Sequence, residues 1–218
     1  FKDNSKVAVL SRGYGRKTNS YIEVKPTHNY RDVGDEPLQI KNKFPEITVA
    51  VEGNRIKGVL NLMYDHPNTE IILLDDAFQH RKVLAGFNIL LTAYDQLYCN
   101  DYVLPTGNLR EPKSGAKRAQ VIIVTKCPEN MCDLEKIQIK KQLNIESNQV
   151  VFFSSIQYSE TLISSTSSRD LTDLQGIRFT LVTGIANPKP LVEYLTEMRL
   201  DFEHLSYKDH HEFSKSEL

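Results

Sequence analysis

The chain has 218 residues, with 27 basic and 28 acidic side chains and a formal net charge of −1. That length makes one large or two small domains with a substantial buried core. The balanced charge leaves no footprint for nucleic acid or for strong attraction to a membrane surface. Three widely placed cysteines, Cys99, Cys127 and Cys132, argue by their odd number against a disulfide framework, and Cys127 and Cys132 are wrongly spaced for a zinc knuckle. Reduced thiols in a cytoplasmic protein are expected. No apolar run has the length of a membrane-spanning helix, and none has the make-up of a signal peptide.

Apolar, β-rich runs at residues 6–10, 47–51, 71–74, 88–92, 120–125, 149–153 and 178–183 predict strands. Helical patterns fall between several of them. Residues 35–43 open with Asp-Glu-Pro, favourable chemistry for a first turn. Residues 54–64 place Ile56, Val59, Leu60 and Met63 on one face, and 133–143 space Leu134, Ile137 and Lys141 helically. Residues 188–200 start with prolines and repeat Leu191, Leu195 and Met198. Strands alternating with helices of this size imply βαβ units and a mostly parallel sheet. The Ser/Thr-rich stretch 164–168 reads as a loop or linker. The alternation breaks around it, so a domain boundary is expected near residue 150. Both ends look cut: the chain starts at Phe1 and enters a strand at once. At the other end Ser214-Lys215-Ser216-Glu217 is a capping box for a helix with no room to form. An internal fragment of a longer protein is expected.

The sharpest chemical feature is Ile71-Ile72-Leu73-Leu74-Asp75-Asp76-Ala77-Phe78-Gln79-His80. A continuous apolar run suits a strand buried on both faces of a parallel sheet. Ligands of open α/β sheets sit beyond the carboxyl ends of such strands. Two carboxylates there suit a hard divalent cation and, through it, nucleotide phosphates, although turns also favour Asp. Ser11-Arg12-Gly13-Tyr14-Gly15-Arg16-Lys17-Thr18 follows the first strand but lacks P-loop spacing. Its two glycines permit close backbone approach to a ligand and Arg12 and Arg16 supply charge; a tight turn with solvated arginines is the other account. Gly34-Asp35-Glu36-Pro37 puts two acids at a helix start, which capping and dipole complementarity explain alone, with Asp35 as a base or Glu36 as a metal ligand the functional account. Leu104-Pro105-Thr106-Gly107-Asn108-Leu109-Arg110-Glu111-Pro112 is an irregular loop in which flanking prolines stiffen the Arg110–Glu111 pair. Asp209-His210-His211 combines a carboxylate with two imidazoles, open to base, shuttle, metal or plain surface roles. His66 and His204 receive no role, and Tyr94, Tyr98 and Tyr102 fit core packing as well as a ligand.

Taken together, these five segments resemble, in order, the tetraacyldisaccharide 4'-kinase (lipid A 4'-kinase) family of Gram-negative bacteria. The resemblance implies an α/β fold: a P-loop NTPase-like, mostly parallel sheet flanked by helices, with a smaller α/β C-terminal domain. Residues 1–149 would be the kinase core and 150–218 linker strands and the start of a truncated C-terminal domain. It also implies transfer of the γ-phosphoryl group of ATP, with Mg²⁺, to the 4'-hydroxyl of a tetraacyldisaccharide 1-phosphate. This would occur in peripheral contact with the cytoplasmic face of the inner membrane, with no nucleic-acid partner. Asp35 then resembles the catalytic acid that takes the hydroxyl proton, and His210 its orienting partner. Glu36, Asp75 and Asp76 resemble the magnesium-side residues. Gln79, His80, Arg110 and Glu111 resemble site residues for metal, nucleotide or substrate, while Arg12, Gly13, Tyr14, Gly15 and Arg55 would meet substrate or phosphate.

The family carries a P-loop and a membrane-anchoring helix ahead of the Ser-Arg-Gly-Tyr-Gly segment. Neither lies in these 218 residues, so the chain alone is expected to bind ATP poorly and to be inactive. Ala77 replaces a common Gly, Thr106 and Asn108 vary the proline-bracketed loop, and Thr125-Lys126-Cys127-Pro128 receives no role. Two other readings are carried: a metal-dependent hydrolase using Asp75, Asp76, His80, Asp209, His210 and His211, and a non-catalytic binding module with a decayed site.

Overall fold

In the computed structural model, which describes residues 6–164, 166–211 and 213–214, each apolar run singled out above is a strand. The first is β1 (Val7–Ser11), followed by the short β2 (Ile22–Glu23), α1 (Tyr30–Val33), α2 (Asp35–Lys43), β3 (Thr48–Val51), α3 (Arg55–Asp65) and β4 (Ile71–Leu74). They build a sheet in the order β2-β3-β1-β4. β1 runs parallel to both β3 and β4, while β2 is antiparallel to β3. β1 is buried on both faces, which is why its sequence is apolar without alternation. Val9 packs with Val49, Val51 and Val33 under Leu38 and Ile40 of α2. Ala8 and Leu10 pack with Ala50 and Leu62 beneath α3 on the other side.

Next come β5 (Ile89–Ala93), 3₁₀ turns at Tyr98–Asn100 and Lys113–Arg118, β6 (Val121–Thr125), α4 (Asp133–Leu143) and β7 (Val150–Phe153). These strands form a second parallel sheet, β5-β6-β7. Ile122, Val124 and Val151 make its core with Leu97, Met131, Ile139 and Leu143. The aromatic Tyr94 and Tyr98 pack against that core, Tyr98 Oη donating to the Leu143 carbonyl at 3.1 Å.

The face expected over residues 188–200 is observed, with Leu195 buried and Leu191 and Met198 packed beside it, and Val59 of α3 packs inward as expected, but the rest of the α3 and α4 faces differ from the sequence expectation. In α3 the buried residues are Arg55, Gly58 and Leu62, while Ile56, Leu60 and Met63 are exposed. In α4 Ile139 and Leu143 are buried, and Leu134 and Ile137 point outward. In α3 the inward stripe must deliver Arg55 to the strand ends and a side-chain-free Gly58 against Leu10, where an added Cβ would lie 2.7 Å from Cδ2.

The chain divides into two units, Phe1–Ile156 and Gln157–Leu218. The division falls beyond the expected 149/150 position because β7 pairs with β6 and so belongs to the first unit. The second unit contains β8 (Thr161–Ile163), β9 (Ser168–Asp170), a 3₁₀ turn, β10 (Phe179–Thr183), α5 (Lys189–Glu197) and β11 (Phe202–Ser206). Where a loop or linker was expected, β8 and β9 form an antiparallel hairpin whose turn is held by the Ser164 hydroxyl donating to the Ser167 carbonyl at 3.0 Å. β10, α5 and β11 form a βαβ unit with parallel strands over a core of Leu171, Leu195 and Leu200. Thr183 and His204 bond across it at 2.9 Å. The capping box over 214–217 lies largely outside the described residues. Among the described residues no helix is long and apolar enough to cross a membrane.

Candidate active site

Because β1, β3 and β4 are parallel, their carboxyl ends share one edge of the sheet. Two backbone hydrogen bonds and one buried hydroxyl tie those ends together. Glu52 N–H donates to the Ser11 carbonyl and Asp75 N–H to the Leu10 carbonyl, both at 3.0 Å. Buried Ser11 donates its hydroxyl to Asp75 Oδ2 at 2.9 Å and accepts from Gly13 N–H at 3.3 Å. The Asp75 carboxylate is thus aimed from below by the strand that leads into the Arg-Gly-Tyr-Gly loop.

Arg55, the first residue of α3, is only 3% exposed. Its Nη1 donates to the Glu52 carbonyl at 2.8 Å and its Nη2 to the Asp75 carbonyl at 3.1 Å. Burial lowers its pKa, the neighbouring Arg12 lowers it further, and Asp75 and Asp76 work the other way. A guanidinium stays protonated under these pressures, so a fixed cation sits behind the two carboxylates. The half-buried imidazole of His80 is held below the usual histidine range by burial and then by Arg55, Lys82 and Arg12. Its Nε2 is enclosed without a hydrogen-bond partner.

The loop after β1 is packed directly on the start of α2. Gly13 has φ 67°, and a Cβ there would lie 2.7 Å from the Val33 carbonyl. Gly34 has φ 92°, and a Cβ on it would lie 3.0 Å from Gly13 Cα. Two left-handed glycines therefore let the two backbones touch, with Lys17 N–H donating to the Arg31 carbonyl at 2.7 Å. Asp35 and Glu36 stand exposed in the first turn of α2, where the helix dipole favours negative charge. Asp35 Oδ1 accepts from Glu36 N–H at 3.0 Å. Arg12, Tyr14 and Gly15 are exposed on the loop. Arg16 instead serves the loop itself, donating to the Ser20 carbonyl at 2.8 Å.

Beyond β4, Asp76 takes a left-handed φ of 42° that Asp tolerates. Its carboxylate lies 3.5 Å from Arg110 Nη1, with both side chains well exposed. Glu111 pairs with Arg118 at 2.8 Å, and Arg118 also donates to the Phe78 carbonyl at 3.1 Å. Gln79 is exposed nearby in the sequence of this loop. His210 belongs to the second unit, where it has φ 54° and lies 3.8 Å from the Asp209 carboxylate. His211 stacks on Tyr207 with ring centroids 4.6 Å apart.

The structure thus gathers loop 11–15, the α2 N-terminus, Arg55, Asp75, Asp76 and Arg110 around one sheet edge. Three participants escaped sequence reasoning as site residues: Ser11, Glu52 and Arg118. Ser11 and Glu52 carried a signal, being polar residues that directly end apolar strands. Arg118 carried none. Among the described residues no group of three His, Cys, Asp or Glu side chains is placed to hold a metal. That leaves the hydrolase alternative without support, since catalytic zinc-type sites take about three protein ligands. Magnesium fits better, because it is held by one or two carboxylates together with substrate phosphates. Asp75 and Asp76 are the hard-oxygen groups at this edge that could hold it.

The family model for tetraacyldisaccharide-1-P 4'-kinase (LpxK) matches residues 1–218. The chain is 43% identical over 213 residues to the tetraacyldisaccharide 4'-kinase of Flavobacterium johnsoniae, an alignment covering 98% of this chain and 62% of that protein. It is 47% identical over 209 residues to the enzyme of the same name from Flavobacterium psychrophilum, covering 95% of this chain and 60% of the relative. The crystal structure of LpxK from Aquifex aeolicus in complex with ATP superposes with a TM-score of 0.76 at 25% identity, over 98% of this chain and 65% of that one. The chain spans about three fifths of the length of the curated relatives it matches. With the family model matched from first residue to last, relatives above 40% identity and the same fold, the chain belongs to the tetraacyldisaccharide 4'-kinase family.

Proposed function

We propose that this chain supplies the acceptor-activating and charge-balancing part of a kinase in lipid A biosynthesis. The reaction moves the γ-phosphoryl group of ATP to the 4'-hydroxyl of a tetraacyldisaccharide 1-phosphate. The observation that carries the reading is the meeting of the α2 N-terminus, loop 11–15 and Asp75 at one edge of a parallel sheet. Phosphoryl transfer needs positioning, neutralised charge and a group to take the acceptor proton. Asp35 is the candidate for that proton: it is exposed in the first turn of α2, beside loop 11–15. As the 4'-oxygen bonds to phosphorus, its proton passes to the Asp35 carboxylate and ADP departs with the broken P–O electron pair.

Asp75 and Asp76, with Glu36, are the residues that would hold Mg²⁺, whose charge offsets that of the phosphates. Ser11 keeps the Asp75 carboxylate in one direction, and buried Arg55 keeps that side of the site electropositive. Arg12 and Arg110 present exposed guanidinium groups suited to phosphate oxygens. The roles that the resemblance gives to Gln79, His80, Glu111 and His210 belong to the same proposal. So does placement at the cytoplasmic face of the inner membrane of a Gram-negative bacterium, in peripheral contact with it, because the acceptor's acyl chains are lodged there.

The test is transfer of radiolabelled γ-phosphate from Mg-ATP to a tetraacyldisaccharide 1-phosphate by the full-length protein and its Asp35→Asn variant. Robust transfer by the parent and a loss of roughly 10²–10⁴-fold in the variant are expected, the range for a removed acid–base group. No transfer by a folded full-length protein overturns the kinase reading. Equal rates in parent and variant overturn the role of Asp35.

A further inference from the structure

The loop that follows β4 carries Asp75, Asp76, Gln79 and His80, and a separate loop ahead of the Lys113–Arg118 turn carries Arg110 and Glu111. One visible link between them is the Arg110–Asp76 pair, whose side chains are 67% and 75% exposed. Exposed pairs of this kind are too weak to fix a geometry. The second link is Arg118, and it is of a different quality.

We infer that Arg118 is a positioning residue that locks the Asp75–Asp76 loop against the Arg110–Glu111 loop. One guanidinium makes three contacts: Nη2 donates to the Phe78 carbonyl at 3.1 Å and to Glu111 Oε1 at 2.8 Å, and Cζ stands 4.6 Å from the Phe78 ring centroid. That distance is within cation–π reach. Phe78 in turn packs against the core of the second sheet. Gly115 completes the lock, because a Cβ there would come within 2.6 Å of Glu111 Oε2 and 3.0 Å of Arg118 Nη1. A planar fork that bonds and stacks at once is something lysine lacks. Arg118 touches no reacting group; it acts by holding Asp76 and Arg110 in register. This inference rests on the kinase reading above.

The test uses the full-length protein with Arg118→Ala, Arg118→Lys and Phe78→Leu, read by steady-state kinetics and by hydrogen exchange. Both Arg118 variants should lower kcat by roughly 10–100-fold, the effect of a misplacement of about 1 Å, with the KM for ATP changed far less. Exchange should rise locally over residues 76–83 and 108–112 and stay unchanged in β1, β3 and α3. Phe78→Leu keeps the carbonyl but loses the ring, so its effect should be intermediate. Should Arg118→Ala fail to fold, Arg118→Lys decides. Full activity in Arg118→Lys, or faster exchange spread evenly through the unit, overturns the inference. If the unmutated protein transfers no phosphate, the kinase reading fails while the exchange pattern still decides whether Arg118 joins the loops.

Discussion

Arg55 is almost fully buried and His80 half-buried, and the two answer burial differently. Arg55 keeps its charge and is repaid by two strand-end carbonyls and two nearby carboxylates. His80 sits in the same positive field, and burial and that field push its pKa below the ordinary value of about 6.5. The unfolded chain therefore binds more protons than the folded one once the pH drops below about 6.5. Stability tied to neutral His80 is present above that pH and is lost as the pH falls toward the lower folded value. Thermal melts at about pH 7.5 and pH 5.5 should show an acid loss that is smaller in His80→Gln than in the parent. Identical losses would show that His80 plays no part in it. Such couplings also explain which residues were legible in the sequence. Asp75 and Asp76 stood out because they end an apolar run, whereas Asp35 opens a helix where capping alone explains it, and it took its role from the family resemblance. Arg118 sits in the run Lys113-Ser114-Gly115-Ala116-Lys117-Arg118, which looks like ordinary surface, and only contacts to Phe78 and Glu111 reveal its task.

The helices show why elements were read more reliably than their faces. Strands buried on both faces write a continuous apolar run into the sequence, so β1 and β3 were plain; β4 and β6 carry the same run, although β4, expected to be covered on both faces, leaves Leu73 exposed. β2 is two residues long, and β8, β9 and β11 are exposed or mixed, so no such run marked them. In α3, Ile56, Leu60 and Met63 formed a convincing stripe yet face outward, since an exposed apolar side chain is commonplace and carries little information. The true inward face contains Gly58, chosen for closeness rather than hydrophobicity. Gly58→Ala tests this. Helix propensity alone would favour the change by about 1 kcal/mol. Against that, the new Cβ would sit 2.7 and 2.8 Å from the two Leu10 methyls and 3.1 Å from Glu52 Cβ. Leu10 is fully buried and packed with Ala8, Ala50 and Leu62, and overpacking of this kind costs about 1–3 kcal/mol. The clash should win, giving a net loss of up to about 2 kcal/mol and a lower urea midpoint at unchanged m-value. A raised midpoint would mean that α3 slides outward at no cost.

At the scale of the whole chain, the two sheets of the first unit differ in how well their parallel strands are covered. β1 is buried almost throughout, whereas β4 leaves Leu73 44% exposed and β5 leaves Leu91 62% exposed. Among the described residues β4 pairs only with β1 and β5 only with β6, so each is an edge strand. Parallel strands rich in Ile and Leu are normally covered on both faces. An edge of this composition presents unpaired N–H and C=O groups beside apolar side chains, which is a template for pairing with another chain. Leu84 is also fully exposed in the connection between β4 and β5. Neither edge carries the inward charge or proline that natural sheets use to discourage such pairing. The 218-residue chain by itself should therefore self-associate as its concentration rises, seen as an increasing weight-average mass in sedimentation velocity. Leu91→Lys places a charge on the β5 surface and should shift that equilibrium toward monomer without altering the β5–β6 register. A chain that stays monomeric across the micromolar range would mean that the twist of these edges already prevents pairing, and that the exposed leucines carry no cost in solution.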